Sequence, residues 1–141
     1  MRTITILVVG SPSLTRVIQH LFSGQSEFEV VGALDGSKSL DQQAGRFLPE
    51  LIVANVKPVS IRIGRAVASI KKASPLSKLI LICPAEDLAR VARECGADAC
   101  LNDEKPAGRL LRMARVLLDR PMGKGAGGQR TPPNQIRLLL P

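Results

Sequence analysis

One histidine, His20, stands in a chain of 141 residues, which removes imidazole triads and multi-histidine metal sites from the chemistry on offer. The three cysteines, Cys83, Cys95 and Cys100, fall in no CxxC or metal-ligand spacing. An odd number of thiols behind no secretion signal predicts free cysteines in a reducing compartment, acting as small apolar filler. No GxGxxG or P-loop pattern follows any apolar run, so a nucleotide or flavin has no phosphate cradle to sit in. What remains is a set of polar or small residues directly behind short apolar runs: Gly10 and Ser11, Asn55, Cys83, and the stretch from Leu101 to Asp103.

The runs themselves show what must position these residues. Ile4 to Val9 is apolar and β-branched and stops at Gly10-Ser11-Pro12, which reads as a strand buried on both faces. Ser11 or Ser13 then caps a helix with Pro12 in its first turn, and Leu14, Val17, Ile18, Leu21 and Phe22 recur at helical spacing until Gly24. The same alternation continues with strands over 28–33, 51–54, 79–82 and 97–101. Helices are predicted over 40–47, 61–73, 86–95 and 106–119. Alternating strands and helices imply βαβ crossovers and a parallel sheet covered on both faces. Functional groups in such sheets lie beyond the carboxyl ends of the strands, near the point where the strand order reverses, and that is where the residues above fall.

Composition sets further bounds. Aromatic residues make up only 2% of the chain, so the core is aliphatic and the stacking platforms of single-strand nucleic-acid binders are missing. No apolar run approaches the length needed to span a bilayer, and the run after Met1-Arg2-Thr3 is too short for a signal peptide. The expected location is the cytoplasm. The net charge of +8 is uneven: residues 105–141 hold eight Lys or Arg against one acid, Asp119, whereas residues 1–104 carry 12 basic and 11 acidic groups. Beyond Arg120-Pro121 the chain turns to glycine and proline. The expected organisation is one domain over 1–120 and a flexible, basic Gly/Pro-rich tail or linker over 121–141.

Several segments resemble, in order and spacing, the receiver domain of two-component response regulators. Ile4-Thr5-Ile6-Leu7-Val8-Val9 with Leu14-Thr15-Arg16 is similar to the family's first strand and helix start. Phe28-Glu29-Val30-Val31-Gly32 is similar to its second strand. Leu48-Pro49-Glu50-Leu51-Ile52-Val53 resembles the approach to the phosphoacceptor, and Gly96-Ala97-Asp98-Ala99 the turn into the fifth strand. The resemblance implies a three-layer αβα, doubly wound, flavodoxin-like fold with a five-stranded parallel sheet in the order 2-1-3-4-5.

It also implies where the family's chemistry would sit, and the residues there are of the wrong kind. The acid pair that holds Mg²⁺ maps to Gly10 and Ser11, and the phosphoacceptor Asp to Asn55. The Ser/Thr of the fourth strand maps to Cys83, and the aromatic switch position of the fifth to Cys100. The Lys maps to Asp103, with Lys105-Pro106 two residues late. Mg²⁺ is a hard cation that wants carboxylate oxygens, an amide is a poor nucleophile, and a thiol is a weak donor. Nothing here would neutralise the charge of phosphoryl transfer. The sequence therefore predicts a receiver-like module that is not an enzyme and holds neither metal nor cofactor. Asn55 is expected to hydrogen-bond the loop behind the third strand, and the remaining acids to be solvated surface charge.

Such a module would signal through protein contacts. By the resemblance, the face built from the fourth helix, fifth strand and fifth helix would carry them, with Arg90, Arg93, Arg109, Arg112 and Arg115 as candidate contacts. An acidic protein partner or a homodimer fits that face; nucleic acid and membrane do not fit this chain alone. Two alternatives stand beside this reading. The chain is the regulatory part of a larger protein with a DNA-binding or ATPase output domain in cis, or it is a nucleotide- or flavin-binding flavodoxin-like protein.

Overall fold

The computed structural model describes residues 3–34, 40–55 and 63–118. The expected tail over 121–141 and the start of the third helix lie outside them. Along the chain run β1 (Ile4–Val9), α1 (Pro12–Ser23), β2 (Phe28–Leu34), α2 (Leu40–Phe47), β3 (Leu51–Asn55) and α3 (Ile63–Ala73). They are followed by β4 (Lys78–Cys83), a 3₁₀ turn (Ala85–Asp87), α4 (Leu88–Glu94), β5 (Ala99–Asn102) and α5 (Ala107–Leu117). The strands form one parallel sheet in the order β2-β1-β3-β4-β5. This is the doubly wound order that the sequence implied.

Side chains of a strand alternate between the two faces of the sheet, so a strand covered on both sides must be apolar throughout. Ile4, Ile6 and Val8 of β1 join Leu51 and Val53, Ile80 and Ile82, and Leu101 under α1 and α5, where Ile18, Phe22, Leu110, Met113 and Ala114 close the core. Leu7 and Val9 point the other way. There they meet Ile52, Ala54, Leu79, Leu81 and Cys83 beneath α2, α3 and α4, which contribute Ala44, Val67, Ile70, Leu88 and Val91. All three cysteines are buried, free thiols on this second side. The sheet thus has α1 and α5 on one face and α2, α3 and α4 on the other.

Several boundaries move by one or two residues from where periodicity put them, and two of these shifts have a visible cause. The fifth strand begins at Ala99, not residue 97, because the Asp98 carboxylate accepts the Leu79 amide at 2.7 Å and so occupies a rung that a backbone carbonyl would otherwise fill. The fourth helix opens as the 3₁₀ turn and ends at Glu94, capped by Cys95. Gly96 follows with φ +79°, a left-handed conformation that a residue without Cβ adopts at little cost.

Candidate functional site: the carboxyl ends of the strands

The strand order reverses between β1 and β3, and Gly10 and Asn55 terminate these two neighbours. At this point, where a doubly wound sheet usually binds its ligand, the two residues are in close contact. A Cβ built on Gly10 would lie 2.9 Å from the Cβ of Asn55 and 3.8 Å from Leu14 Cδ2. Position 10 therefore has no room for a side chain while residue 55 keeps its place. Ser11 serves the neighbouring helix instead. As the N-cap of α1, its hydroxyl accepts the amide of Leu14 at 3.3 Å.

Asn55 is half-buried, and its Nδ2 donates to the carbonyl of Ile82 on β4 at 3.2 Å. The partner is thus the neighbouring strand. The amide lies level with its register partner Ile82 and extends the ladder between the two strands, whereas the loop behind β3, to which a bond was expected, lies outside the described residues.

Cys83 ends β4 with no exposed surface. Burial, and then the nearby carboxylates of Asp87 and Asp103, push its thiol up from 9.0 to about 11, so it is protonated and unreactive at neutral pH. Its carbonyl accepts the amide of Asp103 at 2.9 Å, which ties the end of β4 to the residue after β5 through backbone alone. Cys100 pairs in register with Leu81, whereas Cys83 pairs with Asn102, so the two cysteines are not register partners.

A hexacoordinate Mg²⁺ does not fit these groups. Gly10 supplies no side-chain oxygen, the Ser11 hydroxyl is engaged by a helix amide, and Asn55 offers a neutral amide oxygen. Among the described residues no group of three His, Cys, Asp or Glu side chains is placed to hold a metal ion.

The five arginines assigned to the outer face do not form one set. Arg93, Arg109 and Arg112 are exposed. Arg90 is held by Asp87 at 3.2 Å. Arg115 does not belong to the face: its Nη2 donates to Glu27 Oε1 at 2.6 Å and to Gln25 Oε1 at 3.0 Å, while Nε reaches Glu27 Oε2 at 3.3 Å. The cause is helical drift. Residues three apart fall back by about 60° per step, so Arg115 has rotated by about 120° from Arg109, toward α1. Nor are all the acids solvated charge, since Glu27 anchors α5 and Asp98 binds both Lys71 and the Leu79 amide.

Solved structures give this arrangement a context. The isolated REC domain of RcsB from Salmonella enterica serovar Typhimurium, in the presence of phosphomimetic BeF3-, superposes with a TM-score of 0.72 at 13% identity, over 99% of this chain and 100% of that one. The chain has the receiver-domain fold. The signal receiver domain of the NarL regulator from Mycobacterium tuberculosis matches with a TM-score of 0.69 at 13% identity, over 86% of this chain and all of its own. The response regulator domain of Thermotoga maritima CheB matches at 0.67 and 17% identity, over 84% and 98% of the two chains. Against a longer RcsB chain from Salmonella typhimurium, the receiver fold covers 84% of this chain but spans only 60% of that one. No family model matches the sequence, and no curated protein matches it.

Within the receiver fold, sequence reasoning placed Gly10, Ser11, Asn55, Cys83 and Asp103 together at the carboxyl end of the sheet. It missed the Arg115–Glu27 ion pair and the Lys71–Asp98 pair, which join residues far apart in the chain and leave no local signature. It also missed the turn at Lys105, whose φ of +52° is unusual for a residue with a side chain.

Proposed function

We propose that this chain is a receiver-like signalling module of the bacterial two-component type, acting in the cytoplasm through protein contacts and not through an aspartyl phosphate. The observation that carries the reading is the contact between positions 10 and 55. Where a working receiver needs carboxylates around a nucleophilic Asp, this chain has a glycine with no space for a side chain against an asparagine tied to β4. The module would be no enzyme and would need no cofactor. Its partner, or a second copy, would meet the face formed by α4, β5 and α5, where Arg93, Arg109 and Arg112 stand free of ion pairs among the described residues.

The test is incubation with acetyl phosphate and Mg²⁺ followed by intact-mass spectrometry, with a receiver that keeps its acid pair and Asp as positive control. An unchanged mass is expected. A stoichiometric gain of one phosphoryl group would overturn the reading.

A second reading, an output domain in cis, draws support from one observation. The longer RcsB chain it resembles is described for DNA interaction, and another is bound to the promoter rprA. Expression of the complete open reading frame tests it, since a product no heavier than this chain would exclude an output domain in cis.

A further inference from the structure

Between the end of β5 and the first turn of α5 lies a hollow of about 170 Å³, lined by Leu101, Asn102, Glu104, Lys105, Pro106 and Arg109. Small-molecule sites generally begin at about 300 Å³, so this one has room for a side chain and not for a cofactor. Its form is set locally. The Asn102 side chain accepts the amide of Glu104 at 2.9 Å, and Lys105 takes φ +52° immediately before Pro106. That turn brings Lys105 to the same hollow as Arg109, four residues on.

Both cations are exposed, and neither has an ion-pair partner among the described residues. They differ in this from Lys71, Arg90 and Arg115, each of which has a carboxylate of its own. We propose that this hollow is the socket for one acidic side chain of a partner protein, whose carboxylate is held between Lys105 and Arg109. The inference rests on the docking role proposed above for α4, β5 and α5, and names what that face takes. A single carboxylate fits better than a nucleic acid. Glu104 on the same lining offsets one of the two cations and leaves charge for one carboxylate, and together with Asp103 it breaks the continuous cationic stripe that a phosphate backbone needs.

Fluorescence anisotropy with labelled octaglutamate, octaglutamine and duplex DNA probes at 0.15 M salt tests the socket on the full chain. Saturable binding of octaglutamate alone is expected, weakened about fivefold by Lys105→Gln and by Arg109→Gln. Lys124→Gln and Arg130→Gln, in the basic tail, should leave it unchanged. Failure of octaglutamate to bind, equal weakening by the tail variants, or DNA binding that depends on Lys105 and Arg109 would each overturn the socket. Circular dichroism shows whether each variant is folded. The outcome is independent of the acetyl phosphate experiment, so the socket and the phosphate-free reading fail separately.

Discussion

Gly10 and Asn55 stand so close that the first carbon of any side chain on the glycine would meet the Cβ of the asparagine at 2.9 Å. Real Cβ atoms do not approach backbone-fixed neighbours so closely, and Asn55 Cβ cannot swing aside as a flexible side-chain end can. Gly10→Ala should therefore cost about 1–3 kcal/mol, the usual range for overpacking, although alanine is the smallest possible addition. Urea unfolding of Gly10→Ala beside wild type measures it. A variant as stable as wild type would show that β1 and β3 part easily and that the switch point is an openable crevice.

The clamp from α5 to the α1–β2 loop gives a second expectation. Arg115 and Glu27 keep only 22% and 27% of their side-chain surface exposed, so their attraction is less screened than that of a surface pair. Arg115→Ala, Glu27→Ala and the double variant should yield a coupling energy of about 1–2 kcal/mol in a double-mutant cycle. A coupling near zero would mean that each residue acts through packing alone.

Asp98 joins three elements: it pairs with Lys71 of α3, accepts the Leu79 amide of β4 at 2.7 Å and stands at the entry to β5. Asp98→Asn keeps the shape and an oxygen that accepts from both donors, but removes the charge facing Lys71, whose Nζ also donates to the Ser77 carbonyl at 2.9 Å. A loss of about 1 kcal/mol is expected, the difference between charge-assisted and neutral hydrogen bonds that are partly buried. Thermal unfolding of the two proteins decides it.

Cys83 makes the stability depend on pH at the alkaline end. Its thiol titrates near 9.0 when solvated and near 11 in the fold, so the folded chain holds the proton more tightly than the unfolded one. The associated stability is fully present below about pH 9 and is lost as the pH rises through about 11. Between these values wild type should lose stability more steeply than Cys83→Ala, as a series of urea midpoints from neutral to strongly alkaline pH would show. Parallel slopes would place the cause in other groups. At neutral pH iodoacetamide should label Cys83 only after unfolding.

The fold was legible because its signal is local and repeated. Six apolar or β-branched residues in β1, five mostly aliphatic ones in β3 and the helical spacing in α1 each declare burial without reference to the rest of the chain. The residue types at Gly10, Ser11 and Asn55 were equally plain, and residue type decides whether a position can ligate a cation or attack phosphorus. Boundaries were less secure where a side chain stands in for backbone, as Asp98 does before β5.

Sequence by itself settled which groups this protein possesses: a five-strand α/β pattern, three thiols, one histidine, and Gly10, Ser11 and Asn55 directly behind apolar strands. The tertiary structure decided what those groups face. It set Gly10 against Asn55, turned the Asn55 amide to Ile82, drew Arg115 off the outer face to Glu27, and left Lys105 and Arg109 beside one hollow. Residue type and spacing fix periodicity along one element. Contacts between residues as distant as 27 and 115 depend on the order of the strands, the sides that the helices take and the rotation of each helix about its axis, and only the packed core fixes these together.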